Sequence, residues 1–226
     1  MIIKGNDYFF ISENSNESTY WQNEIYPEWS SITTFRFCLP PKWGHFGFGV
    51  EPHYHDCDEI WLFTKGKGEV WLDDKIYKIT PNTLVYTPMG VVHRFQMFTD
   101  FENTALVTRL ERDKRPIHII EEEHGAPKKT VLGFVVPGEE NNGPVKNRGK
   151  RFPLTELRQV CLSKNTTIKK EELANNEYWT VIEGHVLVKI DRFETLMSTG
   201  DVALLKQGIV RELEASNGCR LALAKQ

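Results

Sequence analysis

The chain has 226 residues, long enough to bury a hydrophobic core in one large domain or two small ones. Its formal net charge of −3, with Lys, Arg, Asp and Glu interspersed, provides no basic face for a phosphate backbone, which excludes nucleic acid as an expected partner. No apolar run approaches the ~20 residues of a membrane span, and the start MIIKGNDYFF lacks a signal-peptide core, so no membrane partner and a cytoplasmic location are expected.

Residues 12–30 are rich in Asn, Ser and Glu and read as a solvated arm. From Ser31 the chain turns into short β-rich runs broken by turn residues: SITTFRFCL, EIWLFT, EVWLD, KIYKI, TLVYT, VVHRFQMF and TALVTRL. That spacing predicts an all-β sandwich or barrel, with helices few and peripheral. A linker is expected across 111–129 and a charged Gly/Asn-rich loop across 137–151. Beyond it the β pattern resumes with QVCLS, EYWTVIEG, HVLVKI, VALLK and CRLALA.

The two halves align without gaps at one offset, the separation of Glu59 from Glu177. The same shift carries Trp61 to Trp179, Gly66 to Gly184, Val70 to Val188, Asp73 to Asp191, Gly90 to Gly208 and Val92 to Val210. An internal duplication is expected. Cys38, Cys57, Cys161 and Cys219 are widely spaced without a CxxC pair, which points to reduced thiols.

Chemistry concentrates in the stretch GFGVEPHYHDCDEIWLFTKG. Side chains two apart on a strand share a face, so His53 and His55 form an imidazole clip while Tyr54 points away. Glu59 can return a carboxylate to the same point, and the Pro88/Gly90 turn delivers His93 as a third imidazole. Three neutral imidazoles and a carboxylate suit one divalent transition metal, Fe, Mn, Ni, Co or Zn, and leave two positions open on an octahedral ion. A divalent ion with one glutamate carries a net charge of about +1, which favours an anionic or chelating oxygen ligand.

Gly47, His53, His55, Glu59 and Gly66 stand in the pattern G-x5-H-x-H-x3-E-x6-G, which resembles the first motif of the cupin superfamily at every fixed position. Pro88, Gly90 and His93 resemble the second motif, with Asn82 in place of its leading glycine and Met97 in place of its final asparagine. Asn tolerates the left-handed backbone of a turn glycine. The resemblance implies two tandem cupin barrels of the double-stranded β-helix or jelly-roll kind. Residues 1–112 would form the arm and a metal-binding barrel, and residues 113–226 the linker and a metal-free, degenerate barrel. At the duplication offset His53 becomes Glu171, His55 becomes Leu173 and His93 becomes Arg211, so Glu177 alone survives of the four ligands. Arg211 is expected to pair with an acid or anchor an anion.

Alternation brings Trp61, Phe63, Phe95 and Met97 to the face of the ligands. Trp43, Phe46, Phe48 and Arg36 are candidates to line the mouth, and His45 and Tyr86 are the candidate catalytic residues. His118, His124 and His185 fit no pattern. Cupins include isomerases and epimerases, dioxygenases, decarboxylases and metal-free binding proteins, so the fold leaves the reaction open. The expected function is a metal-dependent enzyme acting on a small oxygen-rich substrate, carbohydrate-like or a keto acid, by isomerisation or epimerisation through a metal-stabilised enediolate. The alternatives are a non-haem iron dioxygenase and a non-catalytic small-molecule-binding cupin. A homodimer is left open.

Overall fold

A computed structural model describes residues 2–3, 9–13, 16–22, 29–37, 51–55, 59–99, 101–108, 118–120, 132–138 and 156–225. Every regular element among them is a β-strand, and the chain divides into two compact units, Phe10–Asn142 and Met1–Phe9 together with Gly143–Gln226.

The chain opens with β1 (Ile2–Ile3), then β2 (Phe9–Glu13), β3 (Asn16–Gln22), β4 (Trp29–Phe37) and β5 (His53–His55). There follow β6 (Glu59–Lys65), β7 (Gly68–Leu72), β8 (Lys75–Ile79), β9 (Thr83–Thr87), β10 (His93–Met97), β11 (Phe101–Thr108), β12 (His118–Ile120) and β13 (Phe134–Val136). In the first unit these build a seven-stranded sheet in the order β13-β9-β6-β11-β4-β3-β2 and a five-stranded sheet in the order β12-β5-β10-β7-β8. The registers are antiparallel. Trp61, Phe63, Val85, Phe95, Met97 and Phe101 meet in one buried cluster, as alternation within β6 and β10 requires. Gly68 allows the close approach of β7 to β10: a Cβ there would lie 2.3 Å from the Gln96 carbonyl oxygen.

The second unit repeats the plan with β14 (Glu156–Leu162), β15 (Thr166–Glu172), β16 (Glu177–Glu183), β17 (His185–Ile190), β18 (Phe193–Ser198), β19 (Val202–Leu205), β20 (Val210–Ala215) and β21 (Cys219–Lys225). Its sheets run β1-β19-β16-β21-β14 and β15-β20-β17-β18. The duplication holds to the residue. Trp61 stands opposite Val85 and Ala105, and Trp179 opposite Ala203 and Leu223, each partner displaced by the offset that separates the tryptophans. Left-handed backbone recurs at equivalent turns, at Gly66 and Gly184, Asp73 and Asp191, Gly90 and Gly208, and at Asn82 (φ 70°) where the second unit has Gly200 (φ 92°).

The structure differs from the sequence reading at two places. The expected division at residue 112 moves to 142, because β12 pairs with β5 and β13 with β9, which keeps both strands in the first barrel. The expected solvated arm over 12–30 contains β3, which pairs with β4 from Glu17 to Gln22, and the start of the chain gives β1 to β19 of the second barrel. β1 is two residues long and β12 and β13 three each, while β3 reads NESTYWQ, so backbone pairing places them and no sustained alternation announces them.

Candidate metal centre

Two strands of the five-stranded sheet assemble the centre. Register sets His93 of β10 directly opposite His53 of β5, and the pleat returns His55 to the same face. All three histidines are buried, and their ring centroids lie 4.4 to 5.1 Å apart. One ring nitrogen from each falls within 4.8 Å of the others. Gly90 donates its N–H to the His55 carbonyl at 2.9 Å, which ties the turn carrying His93 to the strand carrying His55.

The tautomers follow from the backbone. His53 Nδ1 lies 2.7 Å from the Glu51 carbonyl and His93 Nδ1 lies 2.9 Å from the Val91 carbonyl, contacts in which the ring N–H donates. That leaves Nε2 of each ring as its lone-pair nitrogen. His93 Nε2 is buried with no hydrogen-bond partner among the described residues. Glu59, at the start of β6, places Oε2 3.2 Å from His55 Nε2. Three converging imidazoles, with the Glu59 carboxylate beside His55, are a donor set for a single divalent transition metal.

Electrostatics prepare these groups in the forms a cation needs. Burial pushes the Glu59 carboxyl up, but the charge and hydrogen bond of His55, a hydrogen bond from Trp61 and the charge of His93 outweigh it and hold the group at about 2. Burial, with the neighbouring His55 and His53, drives the His93 imidazole well below its ordinary value, and the Val91 carbonyl and Glu59 restore only part of it. At neutral pH the carboxylate is ionised and His93 is neutral. Around them stand Trp61, edge-on to His93 at 5.3 Å, and Phe95, edge-on to Trp61 at 5.0 Å.

The candidate catalytic residues fare differently. Tyr86 is a correction. Glu59 pairs with Thr87 and Trp61 with Val85 across β6 and β9, so the alternating position of Tyr86, opposite Ile60, puts its side chain on the other face of the sheet. There it stacks on Phe134 at 5.1 Å, away from the imidazoles. His45, Trp43, Phe46, Phe48, Cys57 and the loop across 139–151 lie outside the described residues, as does the Arg36 side chain. His118 was assigned no role by its sequence context, yet the β12–β5 register sets it opposite His55. The distance between 55 and 118 in sequence hides that pairing.

At the equivalent place the second barrel has a different solution. Register sets Glu171 opposite Arg211, as it sets His53 opposite His93. Arg211 is 3% exposed and donates from Nη2 to Glu171 at 2.5 Å, from Nε to Glu177 at 3.3 Å and from Nη1 to the Lys169 carbonyl at 3.2 Å. Leu173, in the place of His55, joins the apolar core. A guanidinium, fixed by two carboxylates, supplies the buried cation.

Residues 35–107 match the cupin domain family. The protein y4oW of Sinorhizobium fredii (strain NBRC 101917 / NGR234) is 33% identical over 76 residues, 33% of this chain and 35% of the relative, so the match spans about a third of y4oW. Among solved structures, Bacillus subtilis oxalate decarboxylase, characterised through its Mn(II) centres, is similar with a TM-score of 0.67 at 14% identity, over 100% of this chain and 77% of that one. Vicilin from hazelnut, Corylus avellana, gives 0.69 at 7% identity, over 99% and 84%. AerE from Microcystis aeruginosa gives 0.62 at 12% identity, over 97% of both chains. At such identities the likeness is one of fold.

Proposed function

We propose that this bicupin-like member of the cupin superfamily is a metal-dependent enzyme. One divalent ion would be held in its N-terminal barrel by His53, His55, Glu59 and His93, and the substrate would be a small oxygen-rich molecule, carbohydrate-like or a keto acid. The observation that carries the reading is the convergence of three buried imidazoles, with ring nitrogens inside 4.8 Å, beside an ionised carboxylate. A bound divalent ion supplies Lewis-acid polarisation of chelated oxygens. The protein's own part is to orient the His53 and His93 rings through backbone-fixed tautomers and to keep Glu59 ionised. Trp61 and Phe95 set aromatic rings beside the imidazoles.

Isomerisation or epimerisation needs a group that moves a proton beside the polarised carbonyl. His118 is the candidate raised by register, and His45 is the candidate raised by sequence. Tyr86, on the opposite sheet face, is not retained. The aromatic wall favours one second reading, a non-haem iron dioxygenase acting on an apolar ring. Incubation of the metal-loaded chain with hydroxy-aldehydes, hydroxy-ketones and keto acids in deuterated water distinguishes the two. Solvent deuterium appearing in recovered substrate without oxygen consumption is the expected result. Oxygen uptake with ferrous iron and no deuterium exchange would replace the first reading with the second.

A further inference from the structure

Each barrel carries a tryptophan two residues after the glutamate that opens its strand, and each indole hydrogen-bonds to that carboxylate. In the second barrel Trp179 Nε1 donates to Glu177 Oε2 at 2.6 Å, and the same oxygen receives Arg211 Nε at 3.3 Å. In the first barrel the Trp61 side chain bonds to the Glu59 carboxylate. The cation-binding partners have diverged completely between the halves: two histidines became Glu171 and Arg211, and the third became Leu173. The Glu–Trp pair has not changed.

Packing alone does not account for this. One inward position further along the same strand, Phe63 became Val181, and both are buried, so the core there accepts a different volume. Tryptophan persists at the position where its N–H is used. The Trp61 ring is itself immobilised, edge-on to Phe95 at 5.0 Å, to His93 at 5.3 Å and to Phe63 at 6.2 Å, so a group bonded to it inherits a fixed position.

We propose that Trp61 is a positioning residue of the metal centre, whose indole N–H holds the Glu59 carboxylate facing the three imidazoles, so that the ligand set is assembled before the ion arrives. This rests on the reading that His53, His55, Glu59 and His93 bind the metal. A carboxylate without such a tether would lose rotamer freedom on binding, and loss of an outer partner of this kind typically lowers metal affinity about 10–100-fold. Trp179 does the same for Glu177 toward a guanidinium.

The test is titration of the full metal-free chain with Co(II), comparing the native protein with Trp61→Phe and Trp179→Phe, and following affinity together with the visible ligand-field bands. Phe keeps an aromatic ring, though a smaller one, and removes the donor. Trp61→Phe should bind Co(II) about tenfold or more weakly with displaced bands, while Trp179→Phe matches the native protein. Unchanged affinity and bands in Trp61→Phe would overturn the proposal, as would an equal loss in Trp179→Phe, which would trace the effect to general destabilisation. A native chain that binds no Co(II) would instead overturn the four-residue centre. Should Trp61→Phe not fold, solvent exchange of the Trp61 indole proton in the native Zn(II) form decides by NMR: slow exchange supports the tether, and exchange at the rate of an exposed indole refutes it.

Discussion

His93 and Glu59 share one buried site, and burial opposes the charge of each. For Glu59 the surrounding imidazoles and the Trp61 donor win, and the carboxyl sits at about 2. For His93 burial wins, and the ring stays neutral well below its ordinary value. The consequences for stability have separate pH windows. An unfolded chain protonates this histidine near its ordinary value of about 6.5 while the folded metal-free chain does not, so the unfolded state binds more protons and stability falls as pH drops below that point. Glu59 contributes stability that is complete above its ordinary carboxylate value and is lost only as pH falls toward about 2. Between pH 7 and pH 5 the metal-free chain should therefore lose stability with His93 contributing at most about 1.4 kcal/mol per pH unit. Urea unfolding across that range, in the native chain and in His93→Asn, checks this. The variant should show the shallower slope, and parallel slopes would contradict the account of His93.

At the scale of elements, the turn between β8 and β9 shows how a motif position can change its residue and keep its backbone. Asn82 adopts φ 70° and donates its N–H to the Phe63 carbonyl at 2.6 Å. Gly200, at the equivalent turn, adopts φ 92° and donates to Val181 at 2.8 Å. Left-handed backbone costs most L-residues roughly 1–2 kcal/mol, and Asn less. Asn82→Ala should thus destabilise the chain by about 1 kcal/mol, and Asn82→Gly should cost less despite losing the 3.4 Å contact of Nδ2 with the Gly138 carbonyl. Denaturant midpoints measure both, and an alanine variant as stable as the native chain would refute the strain at this turn. The same turn was legible in the sequence because the motif spacing survives the substitution. Strands β5, β6, β9 and β10 were legible too, since they bury one face or both. In contrast β15, TTIKKEE, exposes most of its length and has no apolar alternation, so its position follows only from the offset that relates it to the His53 strand. Tyr86 was misplaced because β9 is buried along its whole length and shows no alternation, so only its register with β6 tells which of its residues face the ligands. The pairing of His118 with His55 was beyond reach, because a strand of three residues after a long connection leaves no periodic signal.

Over the whole molecule, duplication has produced two barrels of one topology with unlike centres. The first carries three buried imidazoles and a carboxylate, all of them groups that donate to a cation. The second contains its cation as part of the chain: Arg211 between Glu171 and Glu177, with Lys225 3.5 Å from Glu177. The Arg211–Glu177 pair, buried on both sides, is costly to break, about 3–5 kcal/mol when one partner is removed, so the second barrel is held by its arginine. One metal per chain, in the first barrel, is therefore the expected content. The direct measurement is metal content by inductively coupled plasma mass spectrometry on the native chain, Glu59→Ala and Glu177→Ala, each purified in its folded state. One divalent transition metal per native chain, retained in Glu177→Ala and lost in Glu59→Ala, is the predicted result. Two metals per chain, or a Glu177→Ala protein as depleted as Glu59→Ala, would contradict it.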